Sequence, residues 1–337
     1  MKLVNAEATV SSGSEGLTQR AHASVSVVVL TYNRKAEVME TVAHLRGLPE
    51  QPTIIVVDNG SSDGTADFLE SAFPEITVVR CIKNLGAAGR NEGVNIVRTE
   101  YVAFSDDDTH WRAGSFATAA RVLDANKGID VLNARVVVTQ SGRQDVDEQI
   151  DPTCYLMAAS PIRARALPGP GLIGFMAGAC VFRTEAFLRL GGYSKKLFLG
   201  GEESLLSMDV LATGQAIVYC PEMTVSHAPS PVRDAPHRRV LLARNAAWVG
   251  CLRLPWREVW QRTRDAFKVL RQESQPRAAY ADLLGGLAWA MRRRKPLSTA
   301  VLTMLAQVRD AENAMQAARP TSPGAAGRHS ASESAAS

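Results

Sequence analysis

The stretch YVAFSDDDTHW, residues 101–111, carries the strongest signal for the fold. Its first four residues form an apolar run of the kind found in buried strands. Three aspartates then occupy residues 106–108. Adjacent carboxylates repel one another by about a kcal/mol per close pair in partly solvated surroundings. We therefore expect a positive group among them, unless Asp108 or Thr109 simply caps the next helix.

The chain around this stretch alternates between strand-like and helix-like patterns. Strands are predicted at residues 24–30, 53–57, 76–79, 101–104 and 131–138. Helices are predicted at residues 35–47, 64–73, 89–98 and 114–126. Continuous apolar strands that alternate with helices are typical of parallel sheets covered on both faces. The sequence thus predicts an α/β fold with a mostly parallel central sheet and helices on both faces.

Length and composition limit the class of protein. The 337 residues, 46% of them apolar, suffice for one large domain with an appendage or for two domains. No apolar run approaches the roughly 20 residues of a membrane span, and the N-terminal residues lack the apolar block of a signal peptide. The five cysteines are widely spaced without a CxxC pair, so we expect reduced thiols rather than a zinc or disulfide framework. These features predict a cytoplasmic protein.

The two ends of the chain differ from its middle in composition. Residues 1–23 and 320–337 are rich in Ala, Ser and Gly, and we predict that both are disordered tails. Residues 24–255 form the predicted main domain. Residues 256–319 form a predicted basic helical region, because residues 253–319 carry 13 Lys and Arg against 6 Asp and Glu. The basic character of the chain, whose net charge is +4, therefore belongs to this C-terminal region.

The C-terminal region begins with a predicted amphipathic helix whose apolar face includes Trp256 and Trp260. This pattern suits packing on the main domain, and it also suits an anionic membrane surface. We favour packing, with peripheral contact at the inner face of the membrane as the alternative. We expect no nucleic-acid partner.

Polar residues gather where four predicted strands end. They occupy residues 31–34, 58–64, 83–91 and 106–108. Ligands of parallel sheets bind beyond the carboxyl ends of the strands. There is no GxGxxG after the first strand and no GxxxxGK[ST] anywhere, so neither common phosphate loop is present. We expect a different nucleotide site, in which Asp58 accepts a base N–H while Asp106 and Asp108 hold a ribose hydroxyl and a divalent cation.

Five motifs in order resemble those of the inverting nucleotide-sugar glycosyltransferases with the GT-A fold, specifically glycosyltransferase family 2. The resemblance covers roughly residues 24–255. It rests on VSVVVLTYNR, VVDNGSSDGT, NLGAAGRNEG, FSDDD and GGYSKKLFLGGEESLLSMDVLATG. It implies a metal-dependent enzyme that uses Mn²⁺ or Mg²⁺ to transfer a sugar from a nucleoside-diphosphate sugar to a glycan, lipid-linked or small-molecule acceptor.

The resemblance also implies roles for individual residues. Asp58 would bind the base, Asp106 the ribose or sugar, and Asp108 the metal, with Asp107 a rival for either task. His227 would complete the metal shell, although a structural histidine is the alternative. The full donor-binding set is Thr31, Tyr32, Asn33, Arg34, Asp58, Asn59, Asn84, Gly86, Arg90, Asn91, Asp106, Asp107, Trp111 and Gly178. Plainer alternatives are a turn residue for Asn33, a solvated helix start for Arg90 and core packing for Trp111.

The second half of the resemblance implies the acceptor side. Small residues such as Gly178 would let a sugar approach closely. The family commonly has Glu-Asp where this chain has Glu202 and Glu203, and the second acid is the catalytic base. Glu203 is therefore the predicted base, with Glu202 beside it, and favourable helix-start residues are the alternative. The rival functions are a nucleotidyltransferase and a non-catalytic sugar-nucleotide sensor.

Overall fold

A computed structural model of the chain describes residues 9–10, 24–139, 148–163, 167–228 and 235–317. The predicted tail at residues 320–337 lies outside the described residues. So does the predicted N-terminal tail, apart from Thr9–Val10, which form a short strand.

The described residues form eleven strands and eleven α-helices. The strands are β1 (Thr9–Val10), β2 (Val25–Thr31), β3 (Thr53–Asp58), β4 (Thr77–Arg80), β5 (Tyr101–Asp106), β6 (Thr109–Trp111), β7 (Ile129–Val138), β8 (Gln149–Ile150), β9 (Gly171–Leu172), β10 (Cys180–Arg183) and β11 (Ala216–His227). The helices are α1 (Lys35–Arg46), α2 (Thr65–Ala72), α3 (Gly89–Val94), α4 (Ser115–Ala125), α5 (Pro152–Ala158), α6 (Thr184–Arg189), α7 (Glu202–Ala212), α8 (Ala235–Arg253), α9 (Trp256–Gln272), α10 (Arg277–Arg292) and α11 (Thr299–Ala317). A 3-10 turn at Gly86–Ala88 precedes α3.

All eleven strands belong to one sheet, in the order β1-β4-β3-β2-β5-β10-β7-β11-β6, with β8 on β7 and β9 on β11. Strands β4, β3, β2 and β5 run parallel to one another, and β7 pairs parallel with β11. Strand β10 lies antiparallel between β5 and β7. The α/β prediction with a parallel centre and a C-terminal helical region is confirmed, and the antiparallel additions make the complete sheet mixed.

The register of the parallel strands places the predicted site residues at one edge. Thr31 is aligned with Asp58 in β3, and Leu30 is aligned with Asp106 in β5. These strand interiors are buried because each strand is apolar throughout and helices cover both faces. The carboxyl ends of β2, β3 and β5 therefore meet side by side.

The chain reverses directly after the triple aspartate. Strand β6 follows at once and pairs antiparallel with β11, which aligns Thr109 with His227. Helix α4 begins only after Gly114, so the alternative in which Asp108 or Thr109 caps this helix is wrong. The antiparallel pairing of β6 with β11 brings the end of β11 next to the aspartates. The sequence pattern did not predict this arrangement.

The C-terminal helices pack against the main domain. The Trp248 ring of α8 is fully buried, and its N–H donates to the Leu283 carbonyl of α10 at 2.9 Å. Arg253 binds both carboxylate oxygens of Asp209 in α7, at 2.6 and 3.0 Å. Throughout the described ranges, no helix is both long enough and apolar enough to cross a membrane.

Candidate functional site

The triple aspartate forms a tight turn that is fixed by Thr109. The Asp106 N–H donates to the Thr109 hydroxyl oxygen at 2.9 Å, and the Ser105 hydroxyl lies 2.8 Å from the same oxygen. The three carboxylates differ in exposure, with Asp106 at 41% and Asp107 and Asp108 at 7% and 9%. Asp106 is therefore the carboxylate that faces outward.

Two arginines contact the three aspartates. Arg90 of α3 contacts Asp106 through Nη2. Arg34, at the end of β2, lies 2.8 Å from Asp107 Oδ1 and 3.0 Å from Asp108 Oδ2. The predicted positive groups among the aspartates are thus present in the chain itself.

Asp107 points inward from this turn. It accepts a hydrogen bond from the Thr31 hydroxyl at 3.0 Å, and its own carbonyl accepts one from the Thr41 hydroxyl at 2.8 Å. Burial raises the pKa of Asp107 to about 7, although Arg34 and the Thr31 hydroxyl act in the opposite direction. These contacts make Asp107 a support of the turn rather than an open ligand.

Asp108 lies between Arg34 and His227. The His227 Nε2 is 3.6 Å from Asp108 Oδ1, opposite the oxygen that Arg34 contacts. The sequence placed both residues in one metal site, and the return of β11 along β6 brings them together.

The loops after β2 and β3 are joined through Asn33 and Asp58. Asn33 has a positive φ of 53°, its N–H donates to the Ser61 hydroxyl oxygen at 2.9 Å, and its side-chain oxygen accepts the Ser62 N–H at 2.8 Å. Asp58 accepts the Ser61 N–H at 2.9 Å. The same loop therefore engages both candidate nucleotide-binding residues, while Tyr32 beside Asn33 is 44% exposed.

The loop before α3 is held by a chain of amides. Asn59 donates to the Asn84 side-chain oxygen and to the Gly86 carbonyl, each at 3.0 Å. Gly86 has a φ of 63°, and a Cβ there would collide with the Phe198 carbonyl, which accepts the Ala87 N–H at 2.7 Å. Asn59, Asn84 and Gly86 are thus engaged in shaping the loop.

Arg90 and Asn91 lie below this loop. Arg90 is only 6% exposed, so the alternative of a solvated helix start is wrong. Asn91 exchanges two hydrogen bonds with the backbone of Tyr193, at 2.8 and 2.9 Å. Asn91 therefore clamps α3 to the segment that precedes α7.

Trp111 lies on the core side of β6. Its ring is fully buried, its N–H donates to the Phe104 carbonyl at 3.3 Å, and it packs against Phe116. This position favours the packing alternative, and Trp111 is not part of the site proposed below.

The acceptor side meets the triple aspartate at Ala177 and Gly178. The Ala177 N–H donates to Glu203 Oε1 at 2.8 Å. A Cβ on Gly178 would lie 2.6 Å from Asp106 Oδ2, so only glycine fits without moving that carboxylate. Two adjacent residues thus contact both the donor-side aspartate and the predicted base.

A buried polar cluster lies behind this contact. Arg90 Nε, Tyr193 Oη and Glu202 Oε2 are buried and have no hydrogen-bond partner in the part of the chain that the structure describes. Burial raises the pKa of Glu202 to about 7, with a smaller contribution from Glu203. Burial also raises the pKa of Glu203, against the hydrogen bond from Ala177. Tyr193 was missed from the sequence because an aromatic in GGYSKK looks like an ordinary packing residue.

The donor atoms suit a divalent cation. Asp106, Asp108 and His227 offer carboxylate oxygen and imidazole nitrogen, which Mn²⁺ accepts, while Mg²⁺ favours the oxygens. Within the described ranges, no three His, Cys, Asp or Glu side chains converge as a metal cluster. Sites that bind metal through one or two carboxylates plus substrate phosphates fit this arrangement. The residues therefore fit a metal that arrives with its nucleotide.

Comparison with known proteins assigns the family. Residues 26–191 match the sequence model of Glycosyl transferase family 2. The chain contains a Glycosyl transferase family 2 domain. The matched segment contains the loops that follow β2 and β3, the triple aspartate and Gly178, and it ends before Glu202 and Glu203.

Curated relatives are consistent with this family. An uncharacterized glycosyltransferase of Haemophilus influenzae is 28% identical over 180 residues, which are 51% of this chain and 57% of that protein. The N-acetylglucosaminyl-diphospho-decaprenol L-rhamnosyltransferase of Mycobacterium tuberculosis is 25% identical over 62% of this chain and 78% of its own length. The chain spans about half the length of the first curated relatives that it matches.

Solved structures share the fold of this glycosyltransferase. The mannosyltransferase PcManGT of Pyrobaculum calidifontis, in complex with GDP-Man and Mn²⁺, has a TM-score of 0.51 at 20% identity over 88% of this chain and 76% of its own. Residues 1–349 of TarS from S. aureus, in complex with UDP-GlcNAc, have a TM-score of 0.51 at 17% identity over 87% and 92% of the two chains. The GT-A fold prediction is thereby confirmed.

Proposed function

We propose that this enzyme transfers a sugar from a nucleoside-diphosphate sugar to an acceptor hydroxyl with inversion at C1, in a reaction that depends on Mn²⁺ or Mg²⁺. The observation that carries the proposal is the contact of Ala177 and Gly178 with Glu203 on one side and Asp106 on the other. A sugar held beside Asp106 would be within reach of a base held at Ala177. That is the arrangement required for a single displacement.

The donor occupies the rim of β2, β3 and β5 in this proposal. Asp58 and Asn33 receive the base, Asp106 with Arg90 beside it receives the ribose or sugar, and Asp108 with His227 holds the metal. A metal at Asp108 would offset the negative charge of the diphosphate. Support comes from the PcManGT complex, which contains both GDP-Man and Mn²⁺.

Glu203 acts as the general base. Its Oε1 is positioned by the Ala177 N–H, and burial raises its pKa toward the range in which a carboxylate removes protons efficiently. The acceptor oxygen attacks C1 as its proton passes to Glu203, and the C1–O bond to the diphosphate breaks. The nucleoside diphosphate leaves, and no covalent enzyme intermediate forms.

A ligand panel followed by product analysis tests this function. Thermal shifts with UDP, GDP and dTDP sugars, each with and without Mn²⁺, should identify the donor, because ligand binding to the folded state raises stability. NMR of the product should then show an anomeric configuration opposite to that of the donor. Consumption of added pyrophosphate, with formation of a nucleoside triphosphate and a sugar 1-phosphate, would instead favour the nucleotidyltransferase. Binding without turnover on any acceptor would favour the sensor.

The acceptor is proposed to be lipid-linked. The named M. tuberculosis relative acts on N-acetylglucosaminyl-diphospho-decaprenol. In this chain, α9 buries Val259, Ala266 and Leu270 but leaves Trp260 74% exposed, close to Arg257 and Arg264. An exposed tryptophan flanked by arginines suits an anionic membrane surface. This would place the enzyme at the cytoplasmic face of the membrane.

Vesicle cosedimentation tests the membrane contact. The chain should sediment with phosphatidylglycerol vesicles and not with phosphatidylcholine vesicles, and added salt should reduce binding because the attraction is electrostatic. Trp260→Ala should weaken binding, whereas Tyr155→Ala, which removes an exposed ring of α5, should not. Binding that is absent, or equal for both lipids, would contradict the contact.

A further inference from the structure

Arg34 and Arg90 neutralise the same triple aspartate but differ in freedom to move. Arg90 is buried, and its guanidinium lies over the Tyr193 ring, 5.9 Å from the ring centroid. The Arg34 side chain is 27% exposed and sits at the rim, where it contacts Asp107, Asp108 and, at 3.4 Å, Glu37. Only Arg34 can therefore leave the aspartates without disturbing the core.

Arg34 also occupies one of the two oxygens of the carboxylate that would hold a metal. Its Nη1 donates to Asp108 Oδ2, while His227 approaches the other oxygen of the same carboxylate. A guanidinium and a divalent cation at one carboxylate repel each other, so they compete for Asp108. Asp107 also accepts a hydrogen bond from the Thr31 hydroxyl, so Arg34 is not its sole partner.

We propose that Arg34 is an exchangeable counter-cation: it holds Asp108 while no ligand is bound, and it gives up Asp108 when a divalent cation binds together with the nucleotide. The inference rests on the proposed metal and nucleotide-sugar chemistry of this site. Once displaced, the guanidinium is free to pair with the diphosphate, a partner that arginine favours. Arg34 thereby links metal binding to donor binding, so that the empty enzyme binds metal weakly.

Direct measurement of Mn²⁺ binding without nucleotide tests this role. Titration calorimetry on the parent should give weak binding, and Arg34→Gln should bind Mn²⁺ about tenfold or more tightly, because a competing charge beside the carboxylate is removed. Arg34→Lys keeps the charge and should stay close to the parent. Arg80→Gln is the matched control, because Arg80 also pairs with two carboxylates, Asp67 and Glu70, which belong to α2 and not to the triple aspartate.

The second readout is the effect of the nucleotide on the affinity for Mn²⁺. UDP or GDP, whichever raises the melting temperature of the parent more, should tighten Mn²⁺ binding to the parent by a larger factor than to Arg34→Gln. Unchanged or weaker Mn²⁺ binding by Arg34→Gln would overturn the proposal, as would equal tightening in Arg34→Lys. Failure of every nucleotide to bind the parent would instead overturn the proposed function, and the measurement with Mn²⁺ alone would still decide the role of Arg34.

Discussion

The donor side and the acceptor side of the site are built differently. On the donor side, Asp58, Asp107 and Asp108 all have protein partners, and Asn33 is bound through both its backbone and its side chain. On the acceptor side, buried polar atoms of Tyr193 and Glu202 lack partners within the described residues, as does Arg90 Nε at the border between the two sides. An unpaired buried polar group costs about 1 to 3 kcal/mol. The donor side is therefore preorganised by its internal contacts, whereas the acceptor side contains buried polar groups without partners.

This difference has a functional meaning. Because the polar groups of the donor side already have protein partners, a diphosphate nucleotide can bind without rearrangement of the loops. This lowers the entropic cost of binding. Carboxyls kept in a desolvated environment have a raised pKa, which suits proton transfer near neutral pH. Binding and chemistry are thus assigned to separate regions that meet at Gly178.

Glu203→Gln should affect chemistry and leave the donor side unchanged. The amide keeps the size of the side chain and can accept from Ala177, but it cannot take the proton of the acceptor. Removal of a positioned base typically lowers the rate about 10²- to 10⁴-fold. We expect kcat to fall within this range, with donor affinity and melting temperature close to those of the parent, measured by steady-state kinetics and thermal shift.

Glu202→Gln is the matched control for this base. It should retain most of the turnover, because Glu202 faces the buried cluster rather than Ala177. If Glu202→Gln is inactive and Glu203→Gln turns over normally, the base has been assigned one residue too late. If both remain active, another group accepts the proton.

Asp108→Asn should affect binding and leave the acceptor side unchanged. Loss of a single group that supports a metal ligand commonly costs about 10- to 100-fold in metal affinity, so loss of a ligand should cost at least as much. We expect Mn²⁺-dependent donor binding to weaken by at least tenfold and transfer to be nearly abolished, with the fold intact by circular dichroism. Parent-like Mn²⁺ and nucleotide binding would remove Asp108 from the metal site.

Gly178→Ala probes the point where the two sides meet. The new methyl would lie 2.6 Å from Asp106 Oδ2, so this carboxylate or the backbone must shift. Overpacking of this kind typically costs about 1 to 3 kcal/mol. We expect a higher KM for the donor and a melting temperature lowered by a few degrees. Gly174→Ala has open space around the new methyl and should behave like the parent.

The parts of the molecule that follow from local patterns were predicted from the sequence. Strands such as β2 and β5 are mostly apolar, and polar turn residues mark where they end, so their positions and their shared edge could be predicted directly. The family motifs then placed Asp108 and His227 in one site, and the structure brings them to 3.6 Å.

Features that depend on distant contacts were not predicted. Arg90 stands in a polar motif, GRNEG, and only the packing of α3 on the sheet makes it buried. Trp111 follows the aspartates in sequence, but the alternation of side chains in β6 turns it toward the core. The pairing of Arg34 with Asp108 joins residues 74 positions apart, which no local pattern contains.

The smallest expected effect is a pH-dependent difference in stability between the parent and Glu202→Gln. Burial raises the pKa of Glu202 to about 7, above the ordinary value of 4.5 that the unfolded chain should show. Between these values the folded protein binds more protons than the unfolded chain, so this carboxyl lowers the free energy of unfolding as pH rises. The penalty is absent below pH 4.5 and complete above pH 7, and the amide does not have it.

Urea denaturation of both proteins from pH 5 to pH 8 measures this effect. The free energy of unfolding of Glu202→Gln minus that of the parent should rise with pH by about 1 to 3 kcal/mol. Glu185→Gln removes an exposed carboxyl of α6 and should give a difference that does not change with pH. The charged groups near Glu202, which are Glu203 and Arg90, are present in all three proteins, so the difference isolates Glu202. Parallel curves for the parent and Glu202→Gln would mean that Glu202 is ionised in the folded protein at neutral pH, and the acceptor side would then contain a charge that its unpaired neighbours must solvate.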